Sequence, residues 1–217
     1  NRAAPYVSSG VASRPRGRRH WPVTIPGDVS LAGEDPMTDH VWPALLSRQF
    51  AAALRMLQQA IEACPDNLWD DRSQGSPFWH LAYHALFFTD LYLSDDLEDF
   101  QARDFHEENT HFLPGDYGDF AGIVTTPEKA YTRAQLAEYA GHCLHKAEEK
   151  LETLTDERAL QRCGFEWYEL NLGEFTLNNL RHLQQHTGQV ILMLRRHADI
   201  GIEWMGTKDN QPPPPTW

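Results

Sequence analysis

Residues 178–194 read NNLRHLQQHTGQVILML, and how they coil decides what kind of molecule the chain makes. Leu183, Val190 and Leu194 lay one apolar stripe along a predicted helix running from about Phe175 to His197. His182 and His186 stand four apart on the shoulder of that stripe, beside Asn179 and Met193, and so border the core. Residues at i and i+4 are neighbours on a helix surface, so both imidazoles can reach a single point beyond that face. A metal ion is one such point.

Three further helices are expected upstream, and nothing alternates cleanly enough for a strand. The first spans about Asp39 to Ala63, with Trp42, Leu45, Leu46, Ala53, Leu54, Leu57 and Ile61 as its stripe, and stops ahead of Cys64-Pro65. In the second, Ser76 is the expected N-cap and Pro77 the first helical residue, and the run continues to about Leu93. Its apolar residues wrap nearly all the way round, which predicts the most buried helix of the set. The third opens on the capping box Thr132 to Gln135 and carries Leu136, Ala140, Cys143, Ala147 and Leu151 on one side. A short extra helix is expected around Asp156 to Gln161. The acidic, Pro- and Gly-containing stretch from Ser94 to Tyr131 is far longer than the links between antiparallel neighbours, and its length suits a crossover between two parallel helices of a four-helix bundle. The fold class is therefore all-α.

At 217 residues, one domain with a substantial core is expected. It occupies 37–205. Residues 1–36, rich in Pro, Gly, Ser and Arg, read as a disordered extension dispensable for the fold, with Met37 a natural start. Residues 206–217 read as an extended proline-rich tail. The formal net charge of -12 repels a phosphate backbone and disfavours nucleic acid. Cys64, Cys143 and Cys163 have neither disulfide nor C-x-x-C spacing, which suits reduced thiols in a cytoplasmic protein. No apolar run reaches the roughly 18 residues of a membrane span.

Eleven histidines scattered at random would give about half a pair at spacing four; the chain has two pairs, His182 with His186 and His80 with His84. On the second helix His80 and His84 share a side with Phe87 and Leu91 and look inward, while Thr89 and Asp90 point elsewhere. A lone inward histidine is more often a hydrogen-bonded core residue than a ligand, a reading that weighs most on His80. Several imidazoles gathered together are another matter, because a divalent ion satisfies all of them at once. His142 and His145 fall on a solvated face of the third helix. His106 and His111, in HEENTH, miss the zincin spacing and read as loop residues near a site entrance. No G-x-S-x-G elbow or Gly-rich phosphate loop is present, and Cys143 reads as a small core hydrophobe.

SPFWHLAYHALFFTDLYLS (76–94), followed about a hundred residues later by FTLNNLRHLQQHTGQVILMLRR (175–196), resembles the DinB-like family of metalloenzymes over 37 to about 205. The resemblance implies a four-helix bundle in up-down-down-up order, in agreement with the long crossover between helices two and three. It implies one ligand from the second helix, matching His84, and an H-x-x-x-H pair from the fourth, matching His182 and His186. His80 is an additional candidate that the family's pattern does not demand. Asn179, Tyr83 and Gln185 are candidate outer partners of the ligands. Three neutral imidazoles with an open water position describe a catalytic rather than a closed site, and zinc and nickel both suit imidazole. The family implies a small-molecule substrate such as a low-molecular-weight thiol, thiol S-transferase or hydrolase chemistry, and a homodimer. The alternative is a non-catalytic interaction or stress-response bundle with a structural or vestigial metal site.

Overall fold

The computed structural model of the chain describes residues 41–73, 75–114 and 128–206. The expectations for 1–36 and for the tail beyond Gly206 lie outside these residues. Among these residues six helices are formed: α1 (Val41–Ala63), α2 (Asp66–Trp69), α3 (Phe78–Tyr92), α4 (Arg133–Glu152), α5 (Asp156–Ala159) and α6 (Leu172–Ala198). Among the described residues the only β feature is an isolated antiparallel bridge between Arg162 and Asn171. None of the described helices is long and apolar enough to cross a membrane.

Local chemistry sets most of the boundaries. The capping box at α4 is present as expected: Gln135 N–H donates to Thr132 Oγ1 (3.2 Å), while Thr132 N–H donates to Gln135 Oε1 (2.8 Å). A second box, unforeseen, starts α6 three residues earlier than the apolar period predicts. There Glu174 N–H donates to Asn171 Oδ1 (2.8 Å) and Asn171 N–H to Glu174 Oε2 (3.2 Å). At α3 the expected cap shifts by one residue. Pro77, with ψ at 160°, is itself the N-cap and makes no side-chain cap bond; its carbonyl accepts from His80 N–H and Leu81 N–H. An extended ψ cannot belong to a helical residue, so Ser76 lies outside the helix. At its far end α6 terminates on Asp199 in the left-handed region (φ 56°), where Ile200 N–H closes onto the Leu194 carbonyl. Arg195, Arg196 and His197 in the last turn oppose the negative end of its dipole.

The four long helices pack in a closed order: α1 against α4 and α6, and α3 against α4 and α6. As its composition predicts, α3 is the most enclosed element, leaving only Leu81, Phe88 and Tyr92 short of full burial. Phe78, Trp79 and Leu86 are each 0 % exposed, and each contributes about 1.5–3 kcal/mol relative to an exposed position. The stripe of α1 is buried from Leu46 onward, but Trp42 and Leu45 are 65 % and 45 % exposed. That is a departure from the sequence reading: Trp42 lines an outward groove of about 440 Å³ with Leu46, Leu160 and Leu177 instead of entering the core.

Thr89 and Asp90 point away from the histidine side of α3, yet both are 0 % exposed, because a second neighbour covers them. Asp90 faces α4, where it accepts from Tyr139 O–H (2.9 Å), Lys146 Nζ (2.7 Å) and His142 Nε2 (3.2 Å). His142 is thus half-buried and engaged rather than freely solvated, a correction that a helical wheel of α4 alone cannot supply. His145 is exposed and pairs with Glu149. A buried carboxylate is tolerable only when its lone pairs are met, and here three donors meet them.

Candidate metal centre

The α3–α6 contact brings the distant histidines together. His84 from α3 and His182 and His186 from α6 form a group whose ligand nitrogens all lie within 4.8 Å of one another. Their ring centroids are 5.0 Å apart for His84–His182, 4.4 Å for His84–His186 and 4.5 Å for His182–His186. Nε2 of His84 stands 3.1 Å from Nε2 of His182. Two imidazole nitrogens on one cation at 2.0–2.1 Å would be separated by about 2.9 Å at an octahedral right angle and about 3.3 Å at a tetrahedral one. The His84–His182 pair falls between those limits, and no spacing in the group exceeds them by more than roughly 1.5 Å.

Tautomer decides whether such a group can accept a cation. His84 donates Nδ1–H to the carbonyl of His111 (2.7 Å), and His186 donates Nδ1–H to Oε1 of Gln189 (2.6 Å). With the proton held at Nδ1, the only lone pair left on each ring is on Nε2. An outer acceptor on the far nitrogen is also how ligating imidazoles are usually oriented. Nδ1 of His182 is buried with no hydrogen-bond partner among the described residues. These residues fit a divalent cation: the ligand nitrogens of all three rings share one locus, and two of the rings are braced from behind so that their lone pairs lie on Nε2.

Burial keeps His84 and His182 neutral. His84 is 4 % exposed and His186, beside them, 7 %. Burial first, then the neighbouring imidazoles of His186 and His182, holds the His84 pKa well below its ordinary value. Burial, with the His186 ring behind it, lowers His182 to about 4. Near neutral pH neither ring is protonated to the imidazolium, so no positive charge repels a metal.

His80 is absent from the group. It is 0 % exposed, stacks on Trp79 and donates Nε2–H to the Thr110 carbonyl (2.7 Å). Of the candidate outer partners, Asn179 donates Nδ2–H to the Thr89 carbonyl (3.2 Å), the Tyr83 hydroxyl is hydrogen-bonded to Nδ1 of His106, and Gln185 is exposed. None of these bonds reaches a ligand ring. Gln189 and the His111 carbonyl do, and both escaped the sequence reading. Gln189, at i+3 from His186, is findable from helical spacing; a backbone carbonyl on another segment leaves no trace in residue identity. His111, expected as a loop residue near a site entrance, reaches His84 through its backbone carbonyl, while its ring stacks on Phe87 at 4.3 Å. Phe88 flanks the group, 4.8 Å from His84 and 5.4 Å from His182 between ring centroids.

The cysteines are no competitor for the chemistry. All three are free and buried, and burial pushes the Cys143 thiol well above its ordinary pKa.

Comparison with known proteins agrees with this geometry. No curated protein and no solved structure matches the chain. A family profile described as the DinB superfamily matches residues 49–190, well over half of the 217 residues and a span that includes His84, His182 and His186. The chain therefore belongs to the DinB superfamily.

Proposed function

We propose that this protein binds one divalent cation, zinc or nickel, through Nε2 of His84, His182 and His186, and uses it as a metal-dependent transferase or hydrolase acting on a small molecule. One observation carries the reading: three imidazoles from two helices nearly a hundred residues apart in sequence converge with their ligand nitrogens within 4.8 Å. Without a cation the close approach of His84 Nε2 and His182 Nε2 (3.1 Å) is a hydrogen bond donated by His182, and a cation at that locus would take its place. The packing order, with α1 beside α4 and α3 beside α6, supports the up-down-down-up bundle in the same proposal.

Three protein ligands leave a coordination position for substrate or water, the arrangement of catalytic rather than structural sites. A cation held there supplies Lewis acidity, lowering the pKa of a water or thiol and polarising an electrophile. The chain's own residues do the remainder. The His111 carbonyl and Gln189 aim two of the lone pairs. Phe88 gives the locus an apolar wall that excludes water and suits an apolar group on the substrate. A low-molecular-weight thiol meets these requirements, since its sulfur is a good imidazole-site ligand and its acidity is what such a centre raises.

Elemental analysis of protein purified without a metal-affinity column tests the reading. About one zinc or nickel per chain is expected, lost in His182→Ala and in His186→Ala. Metal-free wild type that also fails to take up either ion would sink the proposal. Thiol-transfer and ester-hydrolysis screens of the loaded protein then separate catalysis from a structural role.

A further inference from the structure

The segment of the crossover over residues 103–114 lies against α3 and is held at several points. Tyr83 bonds His106, the Tyr131 hydroxyl accepts Glu107 N–H (2.9 Å) and meets Thr110 Oγ1 (3.0 Å), and Thr110 Oγ1 donates to the Glu107 carbonyl (2.7 Å). Successive carbonyls of an extended chain point to opposite sides. Here two turns, Thr110 N–H to the Glu107 carbonyl and Phe112 N–H to the Asn109 carbonyl, curl the backbone, with Asn109 in the left-handed region at φ 64°. Asparagine tolerates that region better than most residues. Two consecutive carbonyls, those of Thr110 and His111, therefore face α3 together. They are met by two rings one turn apart: His80 Nε2–H on Thr110 and His84 Nδ1–H on His111, both at 2.7 Å.

We infer that His80 is a positioning residue for His84, acting through the crossover backbone. By holding the Thr110 carbonyl it fixes the next carbonyl against Nδ1 of His84, and so sets the tautomer and aim of that ring. The two histidines of the α3 pair then have divided labour: one is a ligand, the other clamps the peptide that orients the ligand. Releasing the clamp frees the 110–111 peptide to turn, His84 loses the acceptor that keeps its proton on Nδ1, and the proton can move to Nε2, where it blocks the lone pair. Coupling runs both ways, because any bond that favours the aimed ring is favoured by it in return. A cation on His84 should thus tighten residues 107–112. The consequence for metal affinity rests on the proposed centre; the consequence for the His84 tautomer does not.

The test compares wild type with His80→Phe, which keeps the ring on Trp79 and removes the donor, and with His80→Gln, which retains an N–H at similar reach. In metal-free, 15N-histidine-labelled protein at pH 7.5, two-bond 1H–15N spectra report which nitrogen of His84 carries the proton. Wild type and His80→Gln should show Nδ1–H alone, and His80→Phe a substantial Nε2–H population. In chelator competition with Zn2+, His80→Phe should bind at least about tenfold more weakly, with His80→Gln within about threefold of wild type. A single Nδ1–H tautomer and undiminished Zn2+ affinity in His80→Phe would overturn the inference, leaving His80 a packing residue only. Should His80→Phe not fold, hydrogen exchange of the wild type decides: Zn2+ should slow the Thr110 and Phe112 amides several-fold, and unchanged rates overturn the inference. Wild type that binds no Zn2+ would defeat the metal centre, while the tautomer spectra would still judge the role of His80.

Discussion

Gathering imidazoles in a buried place makes the metal-free protein acid-sensitive in a defined window. His182 titrates at about 4 in the folded chain because burial disfavours its cation, whereas an unfolded histidine titrates near 6.5. Between those values the unfolded chain binds more protons, so stability is full above about pH 6.5 and falls as pH drops toward 4. The limiting slope is about 1.4 kcal/mol per pH unit for one such group, and from pH 7.5 to 4.5 the loss from His182 alone integrates to about 2.5 kcal/mol. His84, also held well below its ordinary value by burial and its neighbours, contributes in the same direction through the same window. The assay is urea unfolding of chelator-treated protein, followed by far-UV circular dichroism at pH 7.5, 6.0 and 4.5, alongside His182→Leu. The variant should lose about 2.5 kcal/mol less than wild type between the end points. Identical pH dependence in the two proteins would refute the claim that the ring is buried and neutral.

Three other outcomes are expected. Protons should compete with a bound cation only as pH falls toward 4 rather than at the ordinary histidine value, so dialysis should leave the ion in place at pH 6 and remove it near pH 4, read by elemental analysis; release complete by pH 6 would contradict the depressed His182 pKa. Asp90→Ala strands Lys146, Tyr139 and His142 beside a buried gap and should cost about 3–5 kcal/mol, lowering the thermal midpoint by roughly 10 °C or more; a midpoint within a degree or two of wild type would show that Asp90 is not the centre of that network. Gly164→Ala places a Cβ 2.1 Å from the Asp95 carbonyl oxygen, so the backbone must move, at a cost of about 1–3 kcal/mol in urea midpoint measurements; a neutral result would mean that the 95–164 contact is loose.

Much of this was readable from residue order, and the reason is periodicity. Stripes at spacing three and four identify α1, α3, α4 and α6 because a helix turns every 3.6 residues whatever it packs against. Thr132-x-x-Gln135 announces α4 because a capping box is closed by groups three residues apart. The i, i+4 spacing of His182 and His186 likewise places two rings together before any tertiary contact is made. Features that need a second surface were not readable. Trp42 has the phase of a core residue, and its exposure depends on how far neighbouring elements extend over the start of α1. Asp90 merely points away from the histidine side on its own wheel and His142 looks solvated on its own, and the two become partners only when α3 meets α4.

The two α3 histidines make the same division most clearly. By itself the sequence determined that His80 and His84 share one inward side of a helix, since that follows from an angle of about 100° per residue. It could not determine that one ring meets the α6 pair while the other meets a carbonyl of the crossover. Those partners are remote in sequence, and one is a backbone atom common to every residue type. Only the packing of α3 against α6, with residues 103–114 laid along it, decided which imidazole can be a ligand.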